Sequence, residues 1–188
     1  MARTGMTDLI ATLRGMTDAG TADYTIGTVN YWNDDLIQGV MDLHRTDFQH
    51  VMIESNPTTI TGNALEYKEF IAPYQNLEAG SLLYIQDGNG GTLGTALFDV
   101  DYTLGIITFA SDTAGSLLYL TGRSFNMNAS AADVWRRKAA NAARMFDFST
   151  DNHSVKRSQF MQHCNLMAAT YSSQGGIQTA DLIRSDLT

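Results

Sequence analysis

The spacing of apolar residues switches twice along this chain, from helical to alternating near residue 50 and back to helical near residue 125. That order restricts the fold more than any single motif does. At 188 residues and 20.6 kDa the chain is too short for two large domains, so its two helical ends are expected to close on each other. The expected fold class is therefore α+β. Residues 1–49 and 125–171 form an antiparallel helical bundle of about four helices, 50–124 form an inserted small antiparallel β sheet or open barrel, and 172–188 form an extended C-terminal tail.

Within the first helical segment, Met6, Leu9, Ile10 and Leu13 share one face, with Asp8 near the start and Gly15 and Gly20 closing the helix. A second helix is marked by Asn33 as its cap, by Asp34 and Asp35 in the first turn, and by Trp32 placed to staple onto Ile37. Leu36, Val40 and Leu43 form one stripe of it, and Ile37, Met41, His44 and Phe48 an adjacent one. Beyond residue 125, Ala129 to Phe146 carries Val134, Trp135, Ala142, Met145 and Phe146 at helical spacing, with Ser130 a possible cap. After a turn at Ser149 to Asn152, a last helix places Phe160, Cys164, Met167 and Tyr171 on one face.

Between them, strands are expected to begin at Val51. Pro57 blocks any helix through Thr58 to Thr61, and Leu65 to Ile71 alternates. Leu82 to Gln86 and Ala96 to Asp101 flank a glycine-rich turn and are expected to pair as a hairpin. Ile106 to Phe109 and Leu117 to Thr121 add two strands, separated by turn residues 111–115.

Charge and composition exclude several classes of function. Twelve Lys and Arg against twenty Asp and Glu give a net charge of −8, which repels a nucleic-acid backbone and argues against sequence-specific DNA binding. Charged residues are only 17% of the chain, below the usual quarter or so. A surface so poor in charge fits one that is covered in part by partners. Cys164 is the single cysteine, so neither an intrachain disulfide nor a Cys-rich zinc site is expected, consistent with synthesis in the cytosol. No run reaches the roughly 18 apolar residues of a membrane span, and Thr7, Asp8, Thr12 and Arg14 interrupt any signal core.

Few residues invite chemistry. The Gly88 to Gly94 loop has the wrong spacing for a phosphate cradle, whereas Asp87-Gly88 and Asn89-Gly90 suit a tight turn. Asp99 and Asp101 share one face of a strand and could hold a hard cation with Asp87, although the surrounding loop lacks ligands at alternating positions, so no metal and no cofactor are expected. His44, His50, His153 and His163 are scattered, and Cys164 lies on an apolar helical face. No catalytic set follows and an enzyme is not expected. Arg136, Arg137 and Lys138 are the only basic run, with Arg144, Lys156 and Arg157 nearby. They are read as a surface for a partner or a neighbouring copy, with a solvated face as the plain alternative.

The order of elements and several strings resemble a known family. They are Trp32-Asn33-Asp34-Asp35-Leu36 running to Leu43-His44-Arg45, Val100-Asp101-Tyr102 leading through Gly105 to Ile107-Thr108-Phe109, and Leu120-Thr121-Gly122-Arg123. Ala131-Ala132-Asp133-Val134-Trp135, Phe146 to Asp151 and Arg157-Ser158-Gln159 follow. Together they resemble the head-to-tail connector (adaptor) proteins of long-tailed bacteriophages, over nearly the whole chain. The resemblance implies a structural virion protein of the neck with no catalysis. Such a protein is made in the host cytoplasm and assembles as a dodecameric ring that docks on the portal of the DNA-filled head. It offers a surface to the stopper or tail-terminator protein and lets genomic DNA pass without gripping it. It also implies that the C-terminal segment reaches into the portal, which would give Ile177, Leu182, Ile183 and Arg184 a docking role. The β insertion is large for the family's minimal members. A different class, a carbohydrate- or calcium-binding β module on a helical stalk, would use the Asp87 loop and the Asp99/Asp101 face. It would need an aromatic platform on the β part, yet Trp32 and Trp135 both fall in helical segments.

Overall fold

The computed structural model describes residues 2–20, 25–26, 29–60, 64–143, 148–150, 153–155 and 157–175. A 3-10 turn (Thr4–Met6) leads into α1 (Thr7–Thr17), and the short strands β1 (Thr25–Ile26) and β2 (Val29–Asn30) pair with each other before α2 (Asp34–Asp42). The β excursion follows as β3 (Arg45–Met52), β4 (Glu54–Thr59), β5 (Leu65–Ile71), β6 (Tyr84–Asp87), β7 (Phe98–Asp101), β8 (Ile106–Phe109) and β9 (Leu118–Phe125). Then come α3 (Met127–Ala142), the small hairpin β10 (Phe148–Thr150) and β11 (His153–Val155), and α4 (Arg157–Gln174).

The helical starts follow the capping chemistry. Asn33 accepts a hydrogen bond from the Leu36 amide at 2.9 Å, and Asp34 and Asp35 sit in the first turn of α2. At α3 the cap is Asn126, which accepts from the Ala129 amide at 3.0 Å, while the expected cap Ser130 lies inside the helix, its hydroxyl donating to the Asn126 carbonyl. The α1 stripe is buried as expected, with Met6, Leu9, Ile10 and Leu13 joining Trp32, Ile37, Val40, Met41, Phe125, Met127, Ala131 and Val134 in one core. Gly15 does not end α1. The helix runs to Thr17 and is closed by Asp18 in the left-handed region, φ 48°.

The expected four-helix bundle with a small inserted sheet is not what forms. The buried helical residues of the helical core come from α1, α2 and α3, with Tyr171 of α4 packed against it, while α4 runs along α3 mainly through a separate cluster of Trp135, Ala139, Cys164 and Ala168. The β part is two antiparallel sheets, one of order β3-β9-β6 and one of order β4-β5-β8-β7. They face each other across a second core that includes Phe48, Ile85, Leu118 and Leu120 from one sheet and Phe70, Ile107 and Phe109 from the other. Among the described residues this core has eleven buried members against thirteen in the helical one, so the β unit is a half of the molecule in its own right. Strand β9 ties the halves together: Leu118 and Leu120 lie in the β core and Phe125 in the helical core.

Three further expectations are corrected. The second helix was expected to carry Leu43, His44 and Phe48, but α2 ends at Asp42, Leu43 is 65% exposed, and Phe48 packs inside the β core from β3. Residues four apart, such as His44 and Phe48, share one face on a strand as well as on a helix, so the spacing does not separate the two; a β-bulge follows between Phe48 and Val51, where His50 adopts φ 52°. The segments Leu82 to Gln86 and Ala96 to Asp101 do not pair either, because β6 joins β9 and β7 joins β8 in different sheets. The glycine-rich loop between them folds back locally on β6, with Leu93 N–H donating to the Ile85 carbonyl at 2.8 Å. At the other end of the chain, α4 continues through Ser172 to Gln174, where the tail was expected to begin. Residues 144–147 and 176–188, which hold Arg144, Phe146 and the tail residues Ile177, Leu182, Ile183 and Arg184, lie outside the described residues.

Candidate functional site

The strongest electrostatic feature is a closed ring of six alternating charges where the two halves meet. Arg3 precedes α1, Asp42 ends α2, Arg45 and Asp47 open β3, Arg123 lies on β9 opposite Asp47, and Glu78 sits in the connection before β6. The Arg3 guanidinium bonds both oxygens of Asp42, at 2.7 and 2.9 Å, and both of Glu78, at 2.7 and 3.3 Å. Arg123 reaches Glu78 at 3.6 Å and Asp47 at 3.1 Å, while Arg45 reaches Asp47 at 3.0 Å and Asp42 at 3.8 Å. The fork of a guanidinium fits two oxygens at once, which makes the Arg3 contacts directional as well as strong. Glu78 is only 4% exposed. The backbone brings the same surfaces together, since the Gly5 carbonyl accepts from the Ala79 amide and a Cβ on Gly5 would fall 1.7 Å from the Ala79 carbonyl oxygen.

The hydrogen bond from Arg3 holds the Asp42 carboxyl below its ordinary range, against the opposing effect of burial. At Asp133 burial favours the neutral acid, but hydrogen bonds from His44 at 2.8 Å and from Arg136 at 2.7 Å outweigh it and also lower the value. Both groups are depressed in the folded state. The stability they add is therefore complete above the ordinary carboxylate range and is lost as pH falls through and below it. The expected result is that acid unfolding of Asp42→Asn shows a flatter dependence of stability on pH below about 5 than the parent, measured by urea titration at a series of pH values. A slope identical to the parent's would show that Asp42 is not linked to folding.

The basic run of α3 divides. Arg136 is exposed, bonding Asp133 and, at 3.1 Å, the Ser172 hydroxyl of α4; Arg137 is half-buried. Lys138 is not a surface group. It is 5% exposed, lies 5.1 Å over the Trp135 ring and donates to the Asp18 carbonyl at 2.8 Å, tying α3 to the end of α1. Its long aliphatic stem covers apolar surface while its charge meets a helix-terminal carbonyl.

The acidic candidates serve turns. Asp87 accepts from the amides of Asn89 and Gly91, at 2.9 and 2.7 Å, and Gly90 takes φ 84° as the tight turn requires. Asp101 accepts from the amides of Thr103 and Leu104, and Asp99 from that of Val100. Among the described residues no three His, Cys, Asp or Glu side chains converge as metal ligands. His44 pairs with Asp133, His50 stacks on Tyr119 at 4.0 Å, and the His163 ring stands edge-on to Trp135 at 5.7 Å. Both tryptophans are buried, Cys164 is fully buried, and no helix among the described residues is long and apolar enough to cross a membrane.

What sequence reasoning missed is the charge ring, whose members lie up to 120 residues apart in the chain. Two of the strings behind the connector resemblance, Leu43-His44-Arg45 and Leu120-Thr121-Gly122-Arg123, end on members of that ring, but nothing in their local spacing marks them as partners. A protein class follows from this much only at the level of architecture: a helical half and a two-sheet half, clasped by ion pairs. No protein-family model and no curated protein matches the chain.

Proposed function

We propose that this chain is a structural component of a bacteriophage neck, a ring-forming adaptor that docks on the portal and connects the DNA-filled head to the stopper or tail. The observation that carries this reading is α4. It rests chiefly on α3, through Cys164 and Ala168, and leaves Leu166 66% and Phe160 49% exposed. A helix supported on one side that presents large apolar residues on others is completed by a neighbouring molecule. The clasped halves support the same reading, because an adaptor transmits load between head and tail and needs its two parts held in one orientation. An acidic chain, net −8, suits a channel past which DNA slides without being gripped.

The test is imaging of the full chain mixed with cognate portal rings, where class averages are expected to gain a ring of density with twelvefold symmetry. Removing residues 176–188, with Ile177, Leu182, Ile183 and Arg184, is expected to abolish that added density and leave the thermal unfolding midpoint within about 2 °C of the parent. Portal averages unchanged by the full chain would overturn the proposal.

A further inference from the structure

Two successive segments of the chain carry opposite net charge in sequence. Residues 45–125 hold nine carboxylates and three cations, whereas residues 126–175 hold six cations and three carboxylates. In the β unit, Arg45 and Arg123 belong to the charge ring, and Lys68 lies 2.6 Å from Glu66. The Leu118 end of β9 is seven residues from Phe125, about 23 Å along an extended strand, so it points away from the helices. Here the two sheets part around a cavity of about 260 Å³ lined by Leu93, Leu97, Phe109 and Leu118, with Asp87 and Asp112 also in its wall. Leu97 is 52% exposed and the neighbouring Leu117 59%. Asp87 accepts two backbone amides of its own loop, and Asp112 accepts one from its own loop at Ala114 and one from Tyr67 of β5, so both carboxylates are fixed in place as negative charge beside an apolar opening.

We infer that this opening receives the α3–α4 hairpin of a second copy of the chain, in a head-to-tail contact. This deepens the ring assembly proposed above and rests on that reading for the partner's identity. Three observations select a second copy. The α3–α4 segment is net basic in sequence, with Arg136 exposed and Arg137 half-buried among its described residues, opposite in sign to the β unit. It exposes Leu166 and Phe160, which match the leucine-rimmed opening in chemistry. The cavity is smaller than the roughly 300 Å³ at which small-molecule sites begin, a size suited to one large apolar side chain. A surface that accepts at one end of a molecule and a surface that inserts at the other produce a repeating heterologous contact, which closes into a ring when the rotation allows.

Mixed variants test this contact. Leu166→Glu with Arg137→Glu disables the inserting surface, and Leu97→Lys with Leu117→Lys disables the accepting one; all but the half-buried Arg137 are strongly exposed. In sedimentation equilibrium at up to millimolar concentration, the parent is expected to self-associate, more weakly as salt rises. Each variant alone is expected to associate at least about tenfold more weakly. The two variants mixed are expected to form a one-to-one dimer and nothing larger, since each retains the surface the other lacks. That dimer also shows that both variants are folded. A parent that stays monomeric throughout, or variants that associate as the parent does, would overturn the inference, as would an associating parent whose two variants do not combine. Self-association that survives while portal imaging shows no added ring would sink the neck reading and leave this contact standing.

Discussion

Trp135→Ala is expected to destabilise the protein by about 3–5 kcal/mol, the range for removing a buried aromatic side chain, and to release α4 before the rest of the fold. Trp135 is 3% exposed in the middle of α3, and its neighbours in the second helical cluster are Ala139, Cys164 and Ala168. The buried neighbours are small side chains that cannot fill the space an indole leaves, and only the partly buried Met161, Met167 and Tyr171 at the edge of the cluster can shift toward it. Three contacts are lost besides the packing: the indole N–H to the Met16 carbonyl at 3.3 Å, the Lys138 ammonium over the ring, and the edge-on His163 ring. Urea unfolding measures the total. Amide hydrogen exchange locates it, with protection in α4 expected to fall more than protection in α1 or β9. Trp135→Phe separates the terms, because it keeps much of the apolar area and loses the hydrogen bond to the Met16 carbonyl; a loss of about 1–2 kcal/mol is expected. A midpoint for Trp135→Ala indistinguishable from the parent's would show that α4 is not held by this residue.

The sequence was legible where structure is local. The α1 stripe, the Asn33 cap and the strand Ile106–Phe109 all rest on interactions within a few residues, and each is found where spacing and capping chemistry place it; on α4, Cys164, Met167 and Tyr171 face inward as their spacing places them, but Phe160, expected on the same face, is 49% exposed. What failed was of another kind. Phe48 and His44 are four residues apart, a spacing that shares one face on a helix and equally on a strand, so a periodicity count runs α2 on past Asp42 into β3. Strands β6 and β7 look like a hairpin because they flank a turn, but a strand's partner is chosen by the face it must bury. Ile85 of β6 buries beside Leu120 of β9 in one sheet, and Phe98 of β7 packs against Phe109 in the other. Lys138 read as a surface charge for the same reason: its neighbours in sequence are exposed or half-exposed arginines, while its burial is decided by Asp18, 120 residues earlier. The charge ring is the extreme case, since every one of its bonds across the two halves is nonlocal except the short links around Asp42, Arg45 and Asp47.

That ring carries the second large effect: Glu78→Ala is expected to cost about 3 kcal/mol and to weaken the coupling between the halves. Removing one member of a buried ion pair leaves its partners without compensation and commonly costs 3–5 kcal/mol. Here the lower end applies, because Arg3 and Arg123 are 30% and 26% exposed and water screens part of the loss. The ring members should differ sharply. Asp47 is 51% exposed, so Asp47→Ala is expected to cost under about 1 kcal/mol, although it touches as many arginines as Glu78 does. Glu78→Gln keeps the shape and removes the charge, and should fall between the two. Salt distinguishes the cases as well: added salt weakens what Asp47 contributes and leaves most of the Glu78 effect, since a buried pair is little screened. In calorimetry the parent is expected to unfold in one transition, because Arg3 from the helical half and Glu78 from the β half are bound face to face and β9 passes through both cores. In Glu78→Ala the α2–β3 connection, β9 and the Gly5–Ala79 backbone contact remain to hold the halves together beside Asp42 and Arg45, and the transition should broaden or split. A change under about 0.5 kcal/mol, the scale of an ordinary surface substitution, would mean that the halves are joined by the chain crossings and backbone contacts and that the ring merely decorates the junction.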